Sequence, residues 1–486
     1  MPLPREWNNL KSGRVQKYSH DVIVIGAGAA GLTAAGGCAM FGLRVALIEA
    51  GAMGGECLNN GCVPSKALLA AAKRASVARV GNSMGVQMPA PLVNWDGVRA
   101  HVDGAIAAIA PHDSVERFEG LGCEVIRGHA KFVGWKHVQV GARTLTAPRI
   151  VIATGSEPFV PPIEGLDKVP YLTNENIFAL DIRPSHLIVL GGGAVGMEMA
   201  QAFCRLGSEV TVIAPGDLLA RDDRESVALA VAQMEAEGVR FVQGMGEVVE
   251  GRAGNLTMRL DNGQFVTGSH VLVATGRRAR VSGFGLEEIG VRLGENGIAV
   301  DARRRTSLKH TYAIGDCREG PRLTHVAGYE GGNVVLEIAL GVPTKVDWRA
   351  LPWCTYTSPQ VAQIGLTEEQ ARDKYGEKLR VIREGLDHND RAVAEGESAG
   401  FAKFMFRGRR LVGASLCGHG VDDVLLPLAQ AITGKGGTFA LGSTVVSYPT
   451  RGEVAKAGAF AAWEPTIFGK YPKKWAALVQ KLRNAF

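Results

Sequence analysis

Twice in this chain a short apolar strand runs straight into a glycine-spaced turn, a helix of small residues and a second apolar strand. The first copy begins Asp21-Val-Ile-Val-Ile25, continues through Gly26, Gly28 and Gly31 into an alanine-rich stretch, and ends Arg44-Val-Ala-Leu-Ile-Glu49. The second begins His186-Leu-Ile-Val-Leu190, turns at Gly191, Gly193 and Gly196, and ends Glu209-Val-Thr-Val-Ile-Ala214. Glycines spaced this way have distinct physical jobs. The first permits a tight turn, the second lets backbone amides approach a pyrophosphate at a helix N-terminus, and the third lets helix close on strand. Glu49 lies 18 residues after Gly31, where a carboxylate can accept hydrogen bonds from an adenosine ribose. A lone fingerprint of this kind can be a structural turn; two copies, each with both flanking strands, imply two bound dinucleotides.

At the matching place in the second copy, 18 residues beyond Gly196, stands Ala214. No carboxylate is there to repel a 2′-phosphate, so NADPH is the expected nicotinamide and NADH the other candidate, although Pro215 and Gly216 supply no cation for that phosphate.

A chain of 486 residues exceeds one ordinary core, and typical domain sizes suggest about three or four domains. With 46% hydrophobic residues, 21% charged residues and 63 glycines, the composition is that of an α/β protein rich in turns rather than a disordered or fibrous one. No run reaches the roughly 20 apolar residues of a membrane-spanning helix. The polar first 20 residues lack the apolar stretch of a secretory signal, so a cytoplasmic protein is expected. The net charge of +6 is spread along the chain without a basic, aromatic-interleaved stripe, which argues against nucleic acid as a partner.

Eight cysteines are too few for a disulfide scaffold in so long a chain, and in a reducing compartment a disulfide that matters is catalytic or regulatory. Cys38, Cys123, Cys204, Cys317, Cys354 and Cys417 stand alone and read as small buried apolar residues. Cys57 and Cys62 form a close pair, 26 and 31 residues after Gly31. Five residues of straight helix advance about 7.5 Å, beyond the roughly 4.4–6.8 Å between the Cα atoms of a disulfide, so a bridge requires distorted backbone between them. Asn59, Asn60 and Gly61 suit such a turn, and Pro64 suits the start of a helix. A thiol beside that helix start is expected to have a lowered pKa, favouring the thiolate that exchange chemistry needs. Two buried free cysteines near a turn would be the plain alternative. Their position directly after a nucleotide-binding unit favours redox chemistry.

Taken together, these segments resemble the pyridine nucleotide-disulfide oxidoreductases, the family of glutathione reductase, dihydrolipoamide dehydrogenase and mercuric reductase. The resemblance rests on the first fingerprint with Glu49, the run from Cys57 to Lys66, Ala153-Thr-Gly-Ser156, the second fingerprint with Glu198, Ala274-Thr-Gly-Arg277 and Ala313-Ile-Gly-Asp316. It implies an α/β fold with two Rossmann-like nucleotide-binding domains, for FAD and NAD(P)H, and a C-terminal α+β dimerisation domain. The implied boundaries are 1–165 and 286–350 for the two parts of the FAD domain, 166–285 for the NAD(P)H domain and 351–486 for the dimerisation domain with a basic tail. By the same resemblance Cys57 is the interchange thiol that meets substrate and Cys62 the charge-transfer thiol against the flavin. Lys66 pairs with Glu198 near the flavin N5, and Asp316 holds the ribityl chain. Ala130, Thr154 and Gly155 complete the FAD-binding set, and Gly276 joins Gly191, Gly193 and Gly196 at the nicotinamide cofactor. A homodimer is implied, with a small molecule or a metal ion as substrate and no resident metal.

Near the C-terminus the glutathione and lipoamide enzymes have His-Pro-x-x-x-Glu, whereas this chain reads Tyr448-Pro-Thr-Arg-Gly-Glu453. A phenol of ordinary pKa, about 10 against about 6.5 for histidine, is ionised in only about one molecule per thousand at pH 7. It is a poor base, but it can donate a hydrogen bond or offer an oxygen near a metal. Mercuric reductases resemble the chain here and also in a Pro-Tyr-x-Thr segment, matched by Tyr171 in Pro170-Tyr-Leu-Thr173. They also end in a vicinal cysteine pair, which the ending Lys481-Leu-Arg-Asn-Ala-Phe486 lacks. Three readings therefore stand: reduction of Hg(II) to Hg(0), reduction of some other disulfide or thiol compound, and a flavin-bearing redox sensor. In the tail, Trp475, Leu478 and Leu482 recur at helical spacing among Lys470, Lys473, Lys474, Lys481 and Arg483. Packing against the dimerisation domain is the expected arrangement, and contact with a membrane surface the other.

Overall fold

The computed structural model describes residues 18–80, 84–434 and 436–483, without the side chains of residues 80, 481 and 482. Most of the N-terminal leader and the last three residues of the chain lie outside that range, as do the side chains of Lys481 and Leu482. The chain divides into two compact units. One holds the described residues of Met1–Val63 with Asp103–Glu157 and Arg277–Val346; the other holds Pro64–Val102, Pro158–Gly276 and Asp347–Phe486.

In the first unit, β1 (Val22–Ile25) is the centre of a five-stranded sheet, with Thr311–Ala313, Arg149–Ile152, β1, β2 (Val45–Glu49) and Cys123–Arg127 in spatial order. All pairings are parallel, in register from Val22 opposite Val45 and Arg149. A parallel strand is covered on both faces, which is why β1 reads as an unbroken apolar run rather than an alternating one. Val22 and Val24 face α1 (Ala29–Met40) and the helix Thr324–Leu340, while Ile23 and Ile25 face a layer that includes Phe132, Val138 and Leu145. Each such fully buried side chain stabilises the sheet by about 1.5–3 kcal/mol.

The second unit repeats the plan. Val239–Gln243, Glu209–Ala214, His186–Leu190, His270–Val273 and Tyr171–Leu172 form an all-parallel sheet in that order. Its core joins Ile188, Leu190, Ile213 and Val273 to Val249, Leu256 and Met258. The same unit holds an antiparallel sheet of Pro352–Thr355, Gln360–Gly365, Arg410–Gly418, Phe401–Arg407 and Leu379–Gly385, packed on Leu425–Thr433 and Glu453–Ile467. Parallel sheets with helices, followed by an antiparallel sheet with helices, make the α/β plus α+β organisation.

The tail forms a helix, Lys470–Arg483. It is not packed as expected: Tyr471 and Trp475 are 83% and 67% exposed.

Candidate redox site

Where β1 ends, the chain must turn beneath its parallel neighbour. Gly26 does so at φ +103°, and a Cβ there would lie 2.3 Å from the Ala153 carbonyl oxygen. At Gly31 a Cβ would come within 1.8 Å of the Gly26 carbonyl oxygen. Gly28, the N-cap of α1, is extended and has no side-chain cap, so the first-turn N–H groups of the helix are not taken up by a capping side chain. Across from it, a Cβ on Gly55 would meet the Gly28 Cα at 2.6 Å. The result is a floor of bare backbone at a helix N-terminus, the chemistry a pyrophosphate needs. Glu49 finishes β2 with its carboxylate fixed by the N–H groups of Ala27 and Gly51, each at 2.5 Å. Nearby strands place Ala130 opposite Val140. Thr154 donates to the Arg280 carbonyl at 2.7 Å, and the Gly155 carbonyl accepts from the Arg280 N–H at 3.0 Å.

Asp316 sits on the turn after Thr311–Ala313. It accepts a hydrogen bond from Ser156 Oγ at 2.8 Å, and Arg277 Nε donates to the same Oγ at 2.8 Å. The Arg277 guanidinium also binds both oxygens of Glu56, with Nη1 at 2.6 Å from Oε1. A fully buried Glu330 supports the turn, accepting from the Gly315 N–H at 2.8 Å, from Arg318 Nε at 3.1 Å and from Arg304 Nη1 at 3.0 Å.

The cysteines flank a break between two helices. α2 (Gly55–Asn59) starts from Gly54 at φ +83° and stops at Asn60 (φ −138°, ψ 12°), and α3 (Cys62–Val80) begins two residues later. Asn59 Nδ2 ties the bend by donating to the carbonyls of Met53 (3.0 Å) and Gly55 (2.7 Å). Gly61 is needed for space, since a Cβ there would lie 2.9 Å from the Glu56 carbonyl oxygen. The break is the kind of distortion a bridge would require; here both cysteines are free thiols, and Cys57 is hydrogen-bonded to Cys62. Cys62 Sγ lies 3.2 Å from Thr324 Oγ1. The Cys57 thiol is pushed up, first by its hydrogen bond to Cys62 and then by burial. This departs from the expected lowering at a helix start, because the neighbouring sulfur outweighs the helix for Cys57. Cys62 occupies the first position of α3, where helix amides favour negative charge.

One turn beyond Cys62, α3 carries Lys66. Its Nζ lies 2.7 Å from Glu198 Oε2, and Glu198 is buried. The other oxygen of Glu198 accepts from the Tyr356 N–H at 3.0 Å, and the ammonium sits 4.4 Å from the centre of the Tyr356 ring. A buried carboxylate is thus both paired and hydrogen-bonded, as burial requires.

The second fingerprint has the sterics of the first. Gly191 turns at φ +113° with a Cβ position 2.4 Å from the Ala274 carbonyl oxygen, and that of Gly196 is 2.1 Å from the Gly191 carbonyl oxygen. Gly193, like Gly276, would point a Cβ into open space. Tyr171 is half-buried on the edge strand, opposite Val271.

Tyr448 is 71% exposed, and its hydroxyl donates to Asp390 Oδ2 at 2.6 Å. The phenol is pushed above its ordinary pKa, first by that hydrogen bond and then by the charge of Asp390. Glu453 opens the helix Glu453–Ile467 and accepts from the Thr450 N–H at 3.2 Å. The fold thus joins Cys57 to Cys62 and Lys66 to Glu198, and leaves Tyr171 and Tyr448 on separate elements. Sequence reasoning missed Glu56, Thr324, Glu330, Tyr356 and Asp390. Only Glu56 carried a signal, its place beside Cys57. Among the described residues no three His, Cys, Asp or Glu side chains gather as a metal site.

The model for pyridine nucleotide-disulphide oxidoreductases matches residues 20–331, and that for their dimerisation domain matches residues 351–458. A mercuric reductase of Streptomyces lividans is 34% identical over 455 residues, 90% of this chain and 95% of the relative. A dihydrolipoyl dehydrogenase of Thermus scotoductus is 35% identical over 458 residues, again 90% and 95%. The crystal structure of LpdA from Mycobacterium tuberculosis superposes with a TM-score of 0.84 at 27% identity, covering 91% of this chain and 99% of LpdA.

Proposed function

Because the chain belongs to the pyridine nucleotide-disulphide oxidoreductase family, whose members use FAD and NAD(P)H, we propose that it reduces a soft electrophile, Hg(II) foremost, at Cys57 and Cys62. FAD fits the bare glycine floor of the first unit, where Gly28 at the uncapped N-terminus of α1 has no atom closer than 3.9 Å to its Cβ position, so a pyrophosphate can approach the backbone. Gly26, Gly28, Gly31, Glu49, Ala130, Thr154, Gly155 and Asp316 would hold it, and Gly191, Gly193, Gly196 and Gly276 would hold the nicotinamide cofactor, NADPH in preference to NADH. When bound, FAD supplies the two-electron relay from nicotinamide to sulfur.

The protein's part is to position and to hold charge. The Glu198 carboxylate fixes the Lys66 ammonium one helical turn from Cys62, as a cation for the reducing end of the relay. Cys57 and Cys62 lose their protons as their sulfurs bind Hg(II), since thiolates are the ligands such an ion selects. Two electrons from the reduced nicotinamide, which FAD would relay when bound, reduce the ion to Hg(0), which leaves as a neutral atom while the two sulfurs remain thiolates.

The observation that carries this reading is the Tyr448 hydroxyl, committed as a donor to Asp390 at 2.6 Å. A phenol whose pKa is raised and whose proton is engaged by Asp390 is a weak acid for a leaving thiolate, whereas metal reduction at two sulfurs needs no such donor. We assign Tyr171 and the partner subunit's Tyr448 to line the substrate, with Glu453 weakly assisting. The comparable identity to a dihydrolipoyl dehydrogenase supports a second reading, in which Cys57 attacks a disulfide.

Purified holoenzyme assayed with NADPH and NADH against Hg(II), oxidised glutathione, lipoamide and quinone separates the two. Rapid turnover with Hg(II) is expected, falling about 10³-fold or more in Cys57→Ser and in Cys62→Ser. Faster turnover of lipoamide or glutathione overturns the mercuric reading. Asp390→Asn returns the Tyr448 phenol towards its ordinary pKa, so the ultraviolet titration of tyrosine should begin at lower pH than in the parent. Identical titrations would remove Asp390 from the site.

A further inference from the structure

We propose that the helix Lys470–Arg483 docks this protein onto an anionic lipid surface. At 100° per residue, Tyr471, Trp475 and Leu478 stand four and three positions apart and so share one face. Lys473 lies opposite that face, while Lys470 and Lys474 flank one border of it, Lys474 being four positions before Leu478. The described apolar face is open: Tyr471 is 83%, Trp475 67% and Leu478 47% exposed, and Phe468 in the turn before is 53% exposed. Between positions 465 and 486 the sequence has the cations Lys470, Lys473, Lys474, Lys481 and Arg483 and no Asp or Glu.

What covers such a face is selected by charge as well as by polarity. Apolar protein would satisfy the aromatics and strand the lysines, and nucleic acid would satisfy the lysines and leave Leu478 and Trp475 in water. The boundary of an anionic bilayer accepts both, with Trp and Tyr at headgroup depth and ammonium groups among phosphates. Fourteen residues reach about 21 Å, short of the roughly 30 Å of a hydrocarbon core. Among the described residues no helix is long and apolar enough to cross a membrane, so the tail helix lies in the plane of the interface. The dimerisation model ends at residue 458, before this helix begins. The helix is therefore additional to the matched dimerisation domain, and its docking is independent of the acceptor reduced at Cys57 and Cys62.

The test is flotation of the FAD-loaded full chain with phosphatidylcholine vesicles, with and without phosphatidylglycerol. Binding about tenfold stronger to the anionic vesicles, suppressed by salt, is expected. Trp475→Ala with Leu478→Ala, and separately Lys473→Glu with Lys474→Glu, should each abolish it while NAD(P)H oxidation in solution is unchanged. Equal binding to both vesicles, no binding, or binding retained in both double variants overturns the proposal. So does a smaller assembly for Trp475→Ala with Leu478→Ala in light scattering without any vesicle binding, which would make the helix a seam between copies. Retention of duplex DNA in place of vesicles overturns it equally.

Discussion

The two parallel sheets of this chain solve one steric problem identically and then diverge at the ligand. In both, a Cβ at the turn after the central strand would lie 2.3–2.4 Å from a carbonyl oxygen, at Gly26 against Ala153 and at Gly191 against Ala274. In both, the third glycine lies against the first, at 1.8 Å and 2.1 Å. The middle positions differ. Gly28 faces the backbone of Gly55, which leads directly into the cysteine segment, while Gly193 faces open space. The second strand ends in Glu49 in one unit and in Ala214 in the other. Sterically forced positions set the fold, and the unforced ones set which dinucleotide is held and what stands beside it.

The sharpest way to break this comparison is to fill the forced positions. Gly31→Ala puts a methyl into backbone that cannot move aside, at a cost of about 3 kcal/mol or more, and the product should be colourless or insoluble. Gly196→Ala meets the same clash in the other unit, so its product should retain yellow flavin yet fail to bleach on addition of NADPH. Bleaching of the Gly196 variant at the parental rate would sink the assignment of two separate cofactors. The unforced positions give the converse result. Gly28→Ala and Gly193→Ala meet nothing closer than 3.9 Å and should melt within about 1 kcal/mol of the parent, yet weaken FAD retention and raise the NADPH KM respectively, each about tenfold. Altered melting with unchanged ligand binding would reverse the roles assigned to the two kinds of glycine.

This division explains what could be read from the sequence. Both nucleotide-binding units were legible because carbonyl oxygens 1.8–2.4 Å from a Cβ position exclude every residue but glycine, and that exclusion leaves a spaced pattern. That a bridge between Cys57 and Cys62 would need a bend follows from helix rise, and the chain breaks there, at Asn60 and Gly61. The Lys66–Glu198 pair came through family resemblance, because 132 positions separate the partners and no local pattern links them. Asp390 is 58 positions from Tyr448, and Glu56 is 221 from Arg277, so both pairings arise only from tertiary packing. The open face of the tail helix escaped for the opposite reason. Its periodicity signals that something covers it and does not say what.

A smaller effect is expected where side chains rather than backbone are at stake. The Glu49 carboxylate accepts from two amides 24 positions apart, Ala27 and Gly51. Gln has one acceptor oxygen and turns an amide N–H towards a backbone donor, a loss of about 1–2 kcal/mol. Glu49→Gln should therefore release FAD about tenfold more readily, measured as flavin lost on dilution. Full retention would mean that Glu49 serves only the backbone.

The mildest and most discriminating change transplants that acid into the second unit. By the offsets of the first unit, a carboxylate at 214 would find the amides of Gly192 and Gly216, the counterparts of Ala27 and Gly51. The place is not vacant, because Leu218 Cδ2 lies 2.4 Å from the Cβ position of Gly192 and Ala214 is itself buried. Ala214→Glu must therefore displace Leu218, and both nicotinamides should bind more weakly for that packing reason alone. Charge adds a second, selective effect: a carboxylate near a 2′-phosphate repels it, while near a free ribose hydroxyl it accepts a hydrogen bond. The ratio of kcat/KM for NADH over NADPH should rise about tenfold, ~1.4 kcal/mol, and Ala214→Gln, with the same bulk and no charge, should leave the ratio where it began. If Glu and Gln shift it equally, packing rather than charge distinguishes the second unit from the first.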